Sequence, residues 1–371
     1  MGKENEKTKV AIISRESNEK TLDVSMLEQE LLRRGVCVKV LSKLLTKERS
    51  VVNALGYIGQ VIRQQGEIMN ADVVVLDTYC IPASMLPHRK ETKIVQIWHA
   101  LGAVKKFGWQ TVGKPDGTSE KTARLMHMHE GYDYVTCASD VTAEYFAEAF
   151  RIAGNRVVKL GLPRIDYIRK VTHGEEAARA KDLILKRYPK LAEEGKRIVL
   201  YAPTFRRGGM PDIKGLADAL DPERYNLLVK LHPLYSSGGR VFRDNIIYDA
   251  EFSTYELLAA ADLVVSDYSS LVIEETLSEK PLYLYVYDMD EYDKRTGLNM
   301  DFSEEAIGKY AFKDAEDLAN ALEDQYDYDA LKAFGRKYID VNGAWDGHGE
   351  NAPGQNTCTV ELANFIVKLA E

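Results

Sequence analysis

The sequence predicts an α/β protein made of two successive doubly wound halves, and three observations predict it. Short apolar runs of strand length alternate with amphipathic segments of helix length, the signature of a parallel sheet with helices on both faces. The alternation stops at Leu160-Gly161-Leu162-Pro163, gives way to a charged helical stretch, and then begins again. A length of 371 residues suits two domains better than one.

In the first half, strands are predicted over Lys9–Ser14, Val36–Ser42, Val73–Asp77, Ile94–Trp98, Tyr134–Ala138 and Val157–Gly161. Val24–Arg34, Val51–Gln65 and Val141–Arg151 carry helical periodicity between them. The charged stretch from Arg164 to Lys196 reads as a helical connector. In the second half, Arg197–Tyr201, Asn226–Leu231, Asn245–Tyr248, Leu263–Ser266 and Pro281–Val286 read as strands. Thr254–Ala261, Ser269–Glu279, Ala315–Asp324 and Tyr328–Tyr338 fit helices. Asp340–Thr357 is loop-like, and Thr359–Ala370 is a terminal helix. The domain boundary is expected between residues 1–173 and 174–371. In open parallel sheets, ligands bind beyond the carboxyl ends of strands, so two such halves invite a cleft.

Composition narrows the function classes. Apolar residues make up 45% and charged residues 29%, as in a globular protein. No apolar run reaches 18 residues, so no transmembrane helix is expected. Met1–Lys9 is polar and lacks the apolar core of a signal peptide. Cys37, Cys80, Cys137 and Cys358 are scattered without metal-type spacing, which fits reduced, mostly buried thiols and a cytoplasmic location. The net charge of −8 divides into +6 over residues 1–173 and −14 over 174–371. An acidic whole argues against nucleic acid as a partner. The basic half suits an anionic membrane surface or a phosphorylated acceptor, although chance drift in surface composition explains it equally well.

Four segments carry candidate chemistry, each at the end of an expected strand. Val264-Val265-Ser266-Asp267-Tyr268-Ser269-Ser270 hands a buried strand to a helix, where main-chain N–H groups and the hydroxyls of Ser269 and Ser270 favour phosphate. Ordinary N-capping uses the same residues. Glu274, four residues beyond Ser270, shares that face and could bind ribose hydroxyls or simply be solvated. Ile97-Trp98-His99 ends a strand on a histidine suited to general-base work, followed by Lys105 and Lys106 as phosphate contacts or a solvated pair. Lys230 and His232 lie two apart on one strand face, ahead of Pro233. Thr204, Arg206 and Arg207 sit in a Pro/Gly-rich loop after Arg197–Tyr201, and arginine suits bidentate phosphate contacts. His127-Met128-His129 lacks a third ligand nearby, so no metal site is expected. Dinucleotide, Walker A and nucleophile-elbow motifs are missing.

Trp98-His99, Tyr201-Ala202-Pro203-Thr204-Phe205-Arg206, Lys230-Leu231-His232-Pro233 and Ser266-Asp267-Tyr268-Ser269-Ser270, in this order, resemble the CDP-glycerol glycerophosphotransferase family of teichoic acid biosynthesis. Gly161-Leu162-Pro163-Arg164-Ile165-Asp166 and Tyr292–Gly297 extend the resemblance, which spans about Ala71 to Tyr310. The form Trp98-His99-Ala100-x-Gly102-x-x-Lys105-Lys106-Phe107-Gly108 is similar to the priming enzymes of the family.

The resemblance implies a GT-B architecture: two Rossmann-like domains facing across a cleft, with a C-terminal helix crossing back. It implies that residues 174–371 hold a CDP-alcohol, CDP-glycerol or CDP-ribitol, with the pyrophosphate at Ser269 and Ser270. Thr204, Arg206, Lys230, His232 and Glu274 complete the donor site. His99 would deprotonate or orient the hydroxyl of a lipid-linked glycan or polyol-phosphate acceptor. His232 would stabilise or protonate the leaving phosphate, and CMP would be released. No cofactor and no metal are implied, and the expected location is the inner face of the cell membrane, held peripherally. Ribitol phosphate transfer from CDP-ribitol, a UDP-sugar enzyme on the same frame, and a nucleotide-binding subunit without turnover are the alternatives.

Overall fold

The computed structural model describes residues 7–44, 51–206, 209–232, 235, 240–341, 343–345 and 357–371. Arg207, Pro233 and most of the expected loop 340–357 lie outside the described residues. The chain divides into two compact units. The first takes the chain up to Asp166 together with Ile339–Ala344 and the C-terminal helix; the second takes Tyr167–Tyr338 and Trp345.

The first unit holds a parallel sheet of β1 (Lys9–Ser14), β2 (Cys37–Ser42), β3 (Val73–Leu76), β4 (Lys93–Gln96), β5 (Tyr134–Cys137) and β6 (Val157–Lys159). Its strand order is β2-β1-β3-β4-β5-β6. β1 lies between β2 and β3, with Val10 opposite both Val38 and Val73. All four residues of β3 are buried, as a strand covered on both faces requires, which explains its unbroken valine run. The order reverses between β1 and β3, so the crevice of this sheet opens at the carboxyl ends of those two strands.

The helix Leu22–Arg33 begins where Thr21 accepts from the Val24 N–H, and it buries Val24, Leu27 and Leu31. The helix Cys358–Leu369 covers the same unit through Leu362, Ala363 and Ile366. Arg34 donates to the Asn364 side chain and to the Val360 carbonyl. The segment Gly161–Asp166 ties these parts together. Arg164 donates through its main chain and guanidinium to the buried Asp23. Asp166 accepts from the N–H groups of Cys358 and Thr359 at 3.1 and 2.9 Å, capping the C-terminal helix from outside. The apolar face of Leu22–Arg33 is therefore in the core and is not a membrane-facing surface.

The second unit holds β7 (Arg197–Tyr201), β8 (Tyr225–Val229), β9 (Ile246–Tyr248), β10 (Leu263–Ser266), β11 (Leu282–Tyr285) and β12 (Ala311–Phe312), again all parallel. The order β12-β11-β10-β7-β8-β9 reverses between β7 and β10. The expected helix over Ser269–Glu279 is shorter: α-helical only over Leu271–Glu275, then 3₁₀ over Thr276–Ser278, ending on Glu279 at φ 55°. Four short helices escape periodicity, Ile81–Met85, Glu120–Leu125, Ile213–Ala219 and Met289–Arg295, as does the two-residue β12. None is long enough to display a repeat of 3.6.

Candidate active site

In the first unit the candidate residues gather at the carboxyl ends of β1, β3 and β4. Gln96 closes β4, and its side-chain oxygen accepts from the Trp98 N–H at 2.9 Å. That bond accompanies a left-handed backbone at Trp98, φ 59°, a conformation that a bulky residue adopts only under constraint. The constraint is aromatic packing: Trp98 stacks on Phe107 and meets Phe150 and His129 edge-on. The backbone thus turns sharply, and His99 follows with its ring 4.0 Å from that of Trp98.

His99 Nδ1 lies 3.0 Å from the Asp77 carbonyl oxygen and 3.6 Å from Glu16 Oε1. The carbonyl can only accept, so Nδ1 carries the proton and Nε2 keeps its lone pair. Burial in the surrounding protein lowers the His99 pKa, and Glu16 opposes that shift. Beneath lies Asp77, 3% exposed, with its pKa pushed up to about 6, chiefly by burial. Among the described residues its carboxylate oxygens have no hydrogen-bond partner of ordinary geometry; the nearby hydroxyls of Ser14 and Thr78 only moderate the shift. Lys105 and Lys106 are half-buried in the loop after His99, and the charge of Lys105 also holds the His99 pKa down.

In the second unit the candidates gather where β7 and β10 diverge. Asp267, fully buried, ends β10 and accepts from the Thr204 N–H through both oxygens at 3.0 Å. Thr204 Oγ1 is buried and has no hydrogen-bond partner among the described residues. Arg206 is 10% exposed at its side chain and lies between two carboxylates, Asp267 at 2.9 Å and Asp288 at 2.7 Å. Its guanidinium also donates to the Thr204 carbonyl and packs among the rings of Tyr268, Tyr287 and Tyr292. Burial works against this charge, but the two carboxylates outweigh it and raise the Arg206 pKa. Arg206 is thus held as the clamp of its own loop rather than presented as a bare cation. Lys230 likewise donates to Asp249 at 2.7 Å and to the Phe252 carbonyl at 2.5 Å.

His232 is exposed, with its ring 5.6 Å from that of Phe205. Ser269 and Ser270 are half-buried; Ser269 Oγ accepts from the Leu271 N–H at 3.2 Å, and Ser270 makes no side-chain cap bond. The α-helix that follows has one turn and a short 3₁₀ extension, so its dipole is weak. Anion binding here rests on hydroxyls and main-chain N–H groups. Glu274 is 2% exposed and accepts from the Tyr255 hydroxyl at 2.6 Å, which places it behind Tyr255.

Sequence reading missed Asp77, Glu16, Asp267 and Asp288 as site residues. Asp77 and Asp267 both close a strand next to a point of strand-order reversal, a signal that required the strand order. Among the described residues no group of three or more His, Cys, Asp or Glu could hold a metal ion. Cys80, Cys137 and Cys358 are buried, Cys37 is exposed, and none is in a disulfide.

Two parallel, doubly wound sheets, each with polar residues at its reversal point, form an α/β frame of the GT-B class. Residues 7–347 match the model of the CDP-Glycerol:Poly(glycerophosphate) glycerophosphotransferase family, and the chain belongs to that family. It is an enzyme, a CDP-glycerol glycerophosphotransferase by descent. A teichoic acid ribitol-phosphate primase of Bacillus spizizenii is 30% identical over 322 residues, 84% of this chain and 81% of that protein. A teichoic acid glycerol-phosphate primase of Bacillus subtilis is 31% identical over 311 residues, 81% of this chain and 75% of that protein. The solved structure of the wall teichoic acid polymerase TagF matches with a TM-score of 0.71 at 19% identity, covering 98% of this chain and 88% of that one. A UDP-GlcNAc 2-epimerase from Neisseria meningitidis matches with a TM-score of 0.60 at 10% identity, covering 97% and 100%. The last two show the fold alone; the family match decides against a UDP-sugar enzyme.

Proposed function

We propose that this protein transfers glycerol phosphate from CDP-glycerol to a hydroxyl of a lipid-linked glycan or polyol-phosphate acceptor, releasing CMP, in the synthesis of teichoic acid or a related cell-surface polymer. The observation that carries the reading is His99, whose Nδ1–H is tied to the Asp77 carbonyl. Its Nε2 takes the proton of the acceptor hydroxyl. The acceptor oxygen bonds to the phosphorus next to glycerol, and the bond from that phosphorus to the CMP oxygen breaks. A pKa below the ordinary histidine value keeps the base unprotonated at neutral pH. Positioning and charge stabilisation supply the rest, as in phosphoryl transfer generally.

In this reading residues 1–173 serve the acceptor and residues 174–371 the CDP-alcohol. Thr204 Oγ1, Ser269 and Ser270 contact the pyrophosphate, with His232 at the leaving phosphate. Lys230 keeps one ammonium proton beyond its two bonds for the same anion. Arg206 acts on the donor through the loop it clamps, and Glu274 through Tyr255. Lys105 and Lys106 face acceptor phosphate.

Peripheral membrane attachment is part of the proposal. Ile58, Ile62 and Met69 are 54%, 66% and 43% exposed on the helix Val51–Asn70. Their spacing of four and seven puts them on one face, a stripe suited to the acyl boundary. Among the described residues no helix is long and apolar enough to cross a membrane.

The ribitol-phosphate primase relative favours CDP-ribitol as a second donor. Product analysis with each CDP-alcohol on a lipid-linked glycan decides between them. CMP release and one or more added glycerol phosphates are expected with CDP-glycerol. Turnover with CDP-ribitol alone would overturn the donor assignment, and turnover with neither would overturn the activity.

A further inference from the structure

The loop Met126–Asp133 leads into the amino end of β5, and the segment Phe150–Arg156 leads into the amino end of β6. Between them opens a cavity of about 300 Å³ whose lining includes Arg124, Arg151 and Arg156. Glu130 is the one carboxylate in that lining, and it is engaged by His127 at 2.7 Å. Within the lining, three guanidinium groups thus face one carboxylate. The three guanidinium groups are held differently. Arg156 is fixed by the Asp133 and Tyr132 carbonyls at 2.8 and 2.7 Å, and the Asp133 carboxylate lies 3.8 Å from it. Arg124 is paired with Glu120 on its own exposed helix. The guanidinium carbon of Arg151 lies over the Trp109 ring, 3.5 Å from its centroid, with no carboxylate partner among the described residues. A planar cation pre-oriented on an aromatic face, beside a second one fixed by carbonyls, is the arrangement that recognises phosphate oxygens.

The backbone is left-handed at His127, His129 and Arg151, with φ of 47°, 61° and 51°; at Arg151 this is the C-cap of the helix Asp140–Phe150. His129 and Phe150, both in the lining, pack edge-on against Trp98, the residue that sets the turn into His99.

We propose that this cavity is a second anion site, built for a phosphate or diphosphate group held apart from the reacting hydroxyl. A lipid-linked glycan carries such a group at the end remote from the hydroxyl that reacts, and Leu125, 67% exposed beside Arg124, offers apolar surface for the lipid. The choice of the acceptor as occupant rests on the transferase reading; the anion site itself does not.

Calorimetric titration of the full chain, run in excess CDP-glycerol so that the donor pyrophosphate contacts are occupied, with inorganic pyrophosphate, a short prenyl diphosphate and the matching prenyl alcohol tests it. Saturable binding of both diphosphates, and none of the alcohol, is expected. Arg151→Gln and Arg124→Gln should each weaken binding about tenfold to a hundredfold, with Arg151→Lys between them and the wild type. CDP-glycerol affinity, measured on the same samples, should not change; it tests the donor reading separately. Tighter binding of the prenyl form supports the site and assigns it to the acceptor. Equal affinity for the two diphosphates supports the site and assigns it to a free anion. Diphosphate binding that is absent in the wild type, or unchanged in both Gln variants, would overturn the proposal.

Discussion

His99 and Asp77 are joined through the main chain: Nδ1 of the imidazole donates to the Asp77 carbonyl oxygen at 3.0 Å. The Asp77 side chain takes no part in that bond, so orientation of the base and ionisation of the acid beneath it are separable. Two predictions exploit this.

The first concerns the base. His99→Ala should lower kcat by about 10²–10⁴-fold while leaving CDP-glycerol affinity intact, as loss of a general base does. Burial depresses the wild-type His99 pKa, so the active, neutral form persists below the ordinary histidine value of 6.5. The acid limb of kcat/KM should fall below that pH, not at it. A limb at or above 6.5 would assign the ionisation to another group.

The second concerns Asp77. Its pKa rises from 3.8 to about 6 on folding. The folded chain binds this proton more tightly than the unfolded chain, so the contribution is full below about pH 3.8 and is lost as pH climbs through about 6. Asp77→Asn should remove that loss and stabilise the protein at neutral pH by up to ~3 kcal/mol. Thermal melts across pH 4–8 measure it. A variant that melts lower than wild type at pH 7.5 would contradict burial as the cause.

Arg206 yields the third. Removing it leaves Asp267, fully buried, without its cation. Arg206→Ala should destabilise the second unit by about 3–5 kcal/mol, as breaking a buried pair does. Adding Asp267→Asn should recover part of that loss, because the stranded charge goes too. Denaturant titration of the single and double variants reads the difference; equal losses in both would refute a buried pair.

Gly161 is the fourth. It adopts φ 69°, and a Cβ there would stand 2.9 Å from Ile165 Cδ1 and 3.0 Å from Cys358 Sγ. Gly161→Ala should destabilise the first unit by about 1–3 kcal/mol through backbone strain and crowding. A melting temperature equal to wild type would show that the C-terminal helix yields freely at this point.

Strand positions were largely legible in the chain. β1, β7 and β10 lie where their apolar runs predict, because those runs are bounded by charged residues such as Arg15 and Asp267 or by a proline such as Pro203. Helix ends were less so. Ser269 looks like the start of a long helix, yet Ser270 does not cap and the helix turns 3₁₀ at Thr276. The candidate residues His99, Thr204, Lys230, His232, Ser269 and Ser270 stood out in the chain because each comes shortly after a strand. Their counter-charges were not. Asp288 meets Arg206 across 82 positions and Asp249 meets Lys230 across 19, and no local pattern announces such partners. Two residues expected to be bare cations for phosphate therefore turned out to be paired.

The helix Cys358–Leu369, held by Asp166 and packed under Arg34, has a consequence for synthesis on the ribosome. The whole of the first sheet is translated before residue 167, yet this cover for it is made only after Tyr338. The second unit, continuous from Tyr167 to Tyr338 apart from Trp345, emerges with nearly all its own contacts in hand. The order of completion is then inverted relative to the order of translation. The second unit can close as soon as it is made. The first must leave the surface that Leu362, Ala363 and Ile366 cover open until that helix is made, the kind of exposed apolar surface that chaperones or aggregation find on a nascent chain.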